Sequence, residues 1–324
     1  MSAPLPGPES PQGGESPFDA IWAQLIGPEI GTTQAPPEKQ SPLADRVRAH
    51  FTRNKPAPSS FPALAIQIMD LVSQPEVEIH ELLKTIGPDP AISAHLMRVA
   101  NSALYHRGQD VLDLRTAVMK IGVRGVGEIA AGVAGRSLFD VAVRVEYETF
   151  PDRWQKLFLA TMTTAFAASQ FSFEQHHGRP DRIFLGGMFV DIGKTLALRS
   201  LARLIMAGQV NPELPSAEVD ALLEEVHTEI GCEALGIWGL PSRLVDLCRR
   251  QHEVLLPEGE DCTETHVLRL VDGLGRLMGE GGDTTDLEQT RRSLEALHMD
   301  RVRMRMLHHT LLTQGTRVAL LYPA

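Results

Sequence analysis

Ile86-Gly-Pro-Asp-Pro-Ala-Ile-Ser-Ala-His-Leu-Met-Arg-Val-Ala-Asn101 is the stretch that decides the fold class. Asp89 followed by Pro90 predicts a helix N-cap with proline at the first helical position, where a missing N–H costs nothing and the fixed φ already suits a helix. Behind it Ile92, Leu96, Val99 and Ala103 recur at helical spacing and form one apolar stripe. Upstream, Leu64, Ile68 and Leu71 make a stripe, and Ile79, Leu82, Leu83 and Ile86 another. Downstream, Leu114, Ala117, Val118 and Ile121 make a fourth, followed by Gly122, where a left-handed C-terminal residue is expected. Strand alternation is absent. The spacing predicts an all-α, multi-helix fold of short helices joined by tight turns.

The pattern continues to the end of the chain. Trp154, Leu157, Phe158, Thr161, Met162 and Ala165 share a helical face, and residues from Asp283 to Ala324 read as one or two further helices. Gly125, Gly127, Gly132 and Gly135 punctuate Val126, Ile129, Ala130 and Val133, a spacing that lets another helix approach closely. Residues 1–58 differ: they hold 11 of the 22 prolines and are expected to be a largely disordered arm, too poor in apolar surface to offset ordering entropy. One island stands out in it. Phe18, Ile21, Trp22 and Leu25 fall on one face of a short helix near 17–26, behind a Ser16-Pro17 cap. That helix either packs on the protein's own body or docks in a groove of a partner. Leu43, Val47 and Phe51 lead into the folded part.

Bulk properties narrow the function. A hydrophobic fraction of 43% supports a sizeable core, and no apolar run approaches the roughly 20 residues that span a bilayer. With no secretion-signal pattern, the expected location is the cytoplasm. The net charge of -10 is a poor match to a large nucleic-acid footprint, and the Arg301, Arg303 and Arg305 run reads as a solvated face. Cys232, Cys248 and Cys262 form no C-x-x-C pair, so neither a disulfide framework nor a structural zinc site is expected.

Several blocks together resemble the HDOD domain, a bacterial signalling module related in fold to HD-superfamily metal phosphohydrolases. Phe61-Pro-Ala-Leu64, Ile86-Gly-Pro-Asp-Pro-Ala91, Leu96-Met-Arg-Val-Ala-Asn-Ser-Ala-Leu-Tyr105 and Thr116-Ala-Val-Met-Lys-Ile-Gly122 resemble its N-terminal half. Glu225-Val-His-Thr-Glu-Ile-Gly231, Trp238-Gly-Leu-Pro241, Arg250-Gln-His-Glu253 and Leu270-Val-Asp272 are similar to its later blocks. The resemblance covers about Phe61 to Met278 and implies an HDOD domain over 59–280, an N-terminal helical bundle packed on an HD-like half with a seam near 138–150; residues 281–324 are expected to form a helical extension beyond it. Asn101 and Ser102 are read as bonding backbone groups near a helix end.

Arg182-Ile-Phe-Leu-Gly-Gly-Met-Phe-Val-Asp-Ile-Gly-Lys-Thr-Leu-Ala-Leu-Arg-Ser200 resembles the HD-enzyme helix that carries a consecutive His-Asp pair followed by Ile-Gly-Lys. Here Val190 holds the histidine position, while Asp191, Gly193 and Lys194 remain. By the same resemblance His227, His252 and Asp272 persist as ligand candidates. The first-helix histidine is missing between Leu138 and Gln175, and Gln251 marks another departure; His176 and His177 follow that helix in a loop. Valine cannot bind such a cation, and its side chain would fill the metal's place. Val190, Asp191, Lys194, His227, His252 and Asp272 are therefore read as a vestigial HD site. In it His227 and His252 are core histidines, and Asp191 pairs with Lys194 or a nearby histidine.

The expected function is a non-catalytic regulatory or scaffold module in bacterial signal transduction, without cofactor or metal. Its expected partners are other signalling proteins, response regulators and cyclic-dinucleotide enzymes among them, with Phe18, Ile21, Trp22 and Leu25 as docking candidates. Two alternatives stand beside it. One is a metal-dependent phosphohydrolase or cyclic-dinucleotide phosphodiesterase with an altered centre on Asp191, His227, His252 and Asp272. The other is a receptor that binds a nucleotide in the degenerate pocket without chemistry.

Overall fold

The structure, a computed structural model, describes residues 16–27, 41–55, 60–105, 108–139, 144–253, 256, 260–279 and 287–322. The described residues form helices and no strand. The first half comprises α1 (Pro17–Ile26), α2 (Pro42–Arg53), α3 (Ser60–Val72), α4 (Ile79–Ile86), α5 (Pro90–Asn101), α6 (Leu114–Ile121), α7 (Val123–Phe139) and α8 (Arg144–Thr149). The second comprises α9 (Pro151–Gln175), α10 (Pro180–Phe189), α11 (Ile192–Met206), α12 (Ser216–Ile237), α13 (Ser242–Arg250), α14 (Glu260–Leu277), α15 (Leu287–Ala296) and α16 (Arg301–Leu321).

The local signals act where the sequence places them. Asp89 accepts from the Ala91 and Ile92 N–H groups at 2.9 and 3.0 Å, which caps α5. Gly122 takes φ 85°, the left-handed region that glycine enters without a Cβ penalty, and there the chain passes from α6 to α7. Asn101 brackets the Val111 backbone, accepting from its N–H at 2.7 Å and donating to its C=O at 2.9 Å. Ser102 donates to the Val99 carbonyl at 2.7 Å, so both residues work on the backbone as expected. The glycine-spaced helix α7 is approached closely as well. A Cβ on Gly127 would lie 2.7 Å from a Val72 methyl of α3, and one on Gly132 would collide with the Tyr322 hydroxyl.

One core runs through both halves. Ile68, Ile86 and Leu96 from the first half belong to the same buried cluster as Phe166, Phe184 and Leu198 from the second, so the core is continuous past residues 138–150. Within the second half α10 packs against α9, α13 and α14, and α11 lies against α12. This stacking positions the site. α2 also contributes to that core through Ala44, Val47 and Phe51 and rests on α11 and α12. Apart from residues 16–27 and 41–55, the expectation of a disordered arm over 1–58 falls outside the described residues.

The island at α1 turns its apolar face onto the chain's own body. Phe18, Ile21 and Leu25 are buried and Trp22 is partly buried against α15 and α16. Asp19 pairs with Arg301 at 2.7 Å and Arg305 at 3.4 Å, and the Arg305 guanidinium lies 5.1 Å over the Phe18 ring. Arg291 donates to the Leu25 and Gly27 carbonyls and so closes the helix C-terminus. Of the two placements open in the sequence, the contacts are those of packing on the own body, and the Arg301 to Arg305 run helps hold the helix there.

Candidate functional site

The site is built where α10 stops. Val190 is its C-cap, and Asp191 then leads into α11. The turn is pressed against α12: a Cβ on Gly193 would lie 1.8 Å from the His227 carbonyl oxygen, so only glycine allows the two helices to meet here. Val190 is buried, and its carbonyl accepts from the Cys248 thiol at 3.4 Å. On the facing side α9 presents Ala160, Thr161 and Thr164. These line a space of about 30 Å³ together with Val190, Asp191, Lys194, Asp272 and Arg276. That leaves room for about one water.

The six sequence-predicted residues do converge, and two others join them. Lys194, only 4% exposed, places its ammonium 3.1 Å from Asp191 and 2.8 Å from Glu224. Arg276 lies 3.0 Å from Asp272, 3.2 Å from Glu224 and 3.9 Å from Asp191. Three carboxylates thus share two fixed cations, the arrangement by which buried charge escapes a desolvation penalty of several kcal/mol per ion. Burial pulls the Asp191 carboxyl up, but the fixed charges of Lys194 and Arg276 outweigh it and hold it below the usual carboxylate range. Burial likewise opposes the charge on Glu224, and Lys194 and Arg276 again prevail and lower it. Asp272 is pushed up by burial, against the pull of Arg276.

The imidazoles are neutral members of this cluster. His227 Nδ1 sits 3.1 Å from the Leu223 carbonyl and 3.0 Å from that of Glu224, which assigns the proton to Nδ1 and leaves Nε2 as an acceptor. His252 Nε2 lies 2.9 Å from that atom and donates to it. Burial and then Lys194 depress the His227 pKa; burial and then His227 bring His252 down to about 4. Gln251 donates to Asp272 at 3.4 Å. Asp191 is paired with Lys194; His227 Nε2 lies 3.6 Å from its Oδ1 but, as an acceptor, makes no bond to it.

Glu224 and Arg276 were not singled out in the sequence, although the signal was present. Glu224 precedes His227 by three residues and Arg276 follows Asp272 by four, spacings that share a helix face. His176 and His177 stand apart, at the C-terminus of α9.

The donor set is a poor match to a two-metal centre. Val190 and Ala160 on the wall of the small space carry no side-chain donor atom, and each of the three carboxylates already lies within 4 Å of Lys194 or Arg276. A two-metal centre does not fit. Among the described residues one mononuclear set remains: Glu224, His227 and His252 offer ligand atoms within 4.8 Å of one another. Asp191 Oδ1 beside them is buried with no hydrogen-bond partner. A cleft of about 880 Å³ extends outward from Lys194 and Glu224 between α9 and α12, past Phe150, Leu157 and Asp220.

Comparisons with known proteins agree with this geometry at the level of the fold. The chain is similar to an HDOD domain protein of unknown function from Geobacter sulfurreducens (TM-score 0.60, 18% identity, 87% of this chain and 98% of that one). It is also similar to a candidate metal-dependent phosphohydrolase from Shewanella amazonensis (TM-score 0.55, 20% identity, 84% and 98%). A candidate signal transduction protein from Marinobacter aquaeolei compares at TM-score 0.57 and 18% identity over 86% and 64%. An uncharacterised protein of Treponema pallidum is 22% identical over 197 residues, 60% of this chain but only 37% of that protein's length. The HDOD domain profile matches residues 59–254, more than half of the sequence, and with the blocks, the helical order and the Val190–Asp191 turn in place, the chain belongs to the HDOD domain family.

Proposed function

We propose that this protein is a non-catalytic regulatory module of bacterial signal transduction, acting in the cytoplasm by contact with other signalling proteins such as response regulators or cyclic-dinucleotide enzymes. The observation that carries the reading is the placement of two side-chain cations. Lys194 and Arg276 neutralise Asp191, Glu224 and Asp272 within 2.8–3.9 Å, the work a bound metal does in an HD phosphohydrolase. Fixed in the core, these charges hold α10, α11, α12 and α14 together without activating a water.

A second reading rests on the donor set Glu224, His227 and His252 and on the orphaned Asp191 Oδ1. A single ion held there would supply a bound water of lowered pKa, and the protein would be a phosphohydrolase or a cyclic-dinucleotide phosphodiesterase. The names of two structural relatives point one to each reading.

Metal content separates them. The protein is purified without chelator and then titrated with Mn, Fe, Ni and Zn while thermal unfolding and hydrolysis across a nucleotide panel are followed. The regulatory reading expects substoichiometric metal, no metal-induced rise in Tm and no turnover. Stoichiometric metal with turnover abolished by Asp191→Ala would replace it with the second reading.

A further inference from the structure

A second charged centre lies at the other end of the same helices. α10, α13 and α14 carry parts of the ion cluster near their C-terminal halves, at Val190, Gln251 and Asp272. Their N-terminal turns converge instead on a separate cavity of about 600 Å³ that also takes in the α9 C-terminus. Four arginines line it: Arg179, Arg182, Arg243 and Arg250.

Two of the nearby acids are already used. Arg179 pairs with Asp181 at 2.9 Å, and Asp246, on the cavity wall, pairs with Arg249 at 2.9 Å. Arg250 donates to the Cys262 sulfur at 3.7 Å, and Arg182 and Arg243 lie beside Glu264, itself pushed up by burial against their pull, with Asp70 and Asp181 acting on Arg243 from further away. Arg243 Nη1 is buried without a hydrogen-bond partner, and Thr265 Oγ1 on the same wall is buried and equally without one, in a residue only 2% exposed. The starts of α10 and α13 have no side-chain cap, so their first-turn N–H groups are left for an external acceptor.

Excess guanidinium, uncapped helix N-termini and a buried unsatisfied hydroxyl and N–H in one cavity form a receptor for a multiply charged oxyanion. We propose that this cavity binds the phosphate or pyrophosphate group of a small, nucleotide-sized ligand, with Arg182 and Arg243 as its principal contacts and Thr265 and the α10 and α13 N-termini completing the shell. The volume lies in the range of small-molecule sites, about 300–1,000 Å³. The site is independent of the ion cluster and of whether that cluster holds a metal.

The test uses the full chain and metal-free solutions of inorganic pyrophosphate and of ADP, followed by calorimetric titration and by thermal unfolding. Wild type is expected to bind at least one of the two saturably, with affinity that falls as salt rises and with a raised Tm. Arg182→Gln and Arg243→Gln are each expected to weaken binding by about tenfold or more, the loss typical of one charge-assisted hydrogen bond. Lys156→Gln, on the wall of the other cleft, should bind as wild type does. Because Arg182 and Arg243 crowd each other, their substitution should leave the unliganded fold intact, and unliganded melting curves establish that directly. Absence of saturable binding by either probe would overturn the proposal, as would binding that survives both arginine substitutions or is lost in Lys156→Gln.

Discussion

The ion cluster around Asp191 and the arginine cavity at the N-termini of α10, α13 and α14 handle charge in opposite ways. In the cluster, three carboxylates meet two cations and two neutral imidazoles, and almost every charge has a partner within 4 Å. In the cavity, guanidinium groups outnumber the free carboxylates and donors remain unsatisfied. A domain of marginal stability keeps like charges together only where something offsets the repulsion, so the first centre reads as structure and the second as a place for a ligand. Both hang on the same helices, α10 being about 15 Å long from one to the other.

Four measurements would break or sharpen this contrast. The largest effect is expected from Arg276→Ala, which strips a cation from three carboxylates. Urea denaturation at neutral pH should show a loss of roughly 3–5 kcal/mol, the usual cost of leaving one side of a buried ion pair. A loss within measurement error would mean that the cluster does not depend on its own cations. Gly193→Ala comes next. The added methyl meets the His227 carbonyl, and forcing α11 from α12 should cost about 3 kcal/mol by the same assay.

The pH response is third. His252 in the cluster and His95, which stacks on Tyr322, both have pKa values lowered to about 4, in each case chiefly by burial. Since the unfolded imidazole titrates near 6.5, the unfolded chain binds more protons between those values. Stability is therefore complete above about pH 6.5 and falls as pH drops toward 4. From about pH 7 to about pH 5 each of these two imidazoles should remove about 2 kcal/mol, and His252→Gln should reduce the loss by about that amount. A slope unchanged in His252→Gln would place the acid sensitivity outside the cluster. The smallest effect has the opposite sign: Arg182→Gln should raise the unliganded stability by roughly 0.5 kcal/mol or less, because it relieves repulsion on Arg243 in a partly solvated wall. A clear loss on that substitution would show that Arg182 is already satisfied without a ligand.

Part of the candidate site was legible in the sequence and part was not. Asp191, Lys194, His227, His252 and Asp272 stood out because a family pattern marks those positions, and the substitution at Val190 was visible as a missing ligand. Arg276 and Glu224 carried only a local signal, a spacing of three or four residues from Asp272 and His227. Such spacings occur on every helix and seldom mean more than a solvated pair. The arginine cavity was less legible still. Arg182, Arg243 and Thr265 come from three helices, and no pattern in the chain order links them.

The sequence by itself determined the helices, their caps and their apolar faces, because caps and 3.6-residue periodicity act over a few neighbouring residues. Ser16, Asp89, Gly122 and the stripe on α5 needed no distant partner to be read. It also determined which ligands were missing, since a valine is a valine in any fold. Tertiary structure alone decided where α1 rests, which cations neutralise Asp191, and that the N-terminal turns of three helices, two of them bearing arginines, line one cavity. Those outcomes depend on long-range packing, in which the energy of a charge is set by what other segments bring within a few ångströms of it.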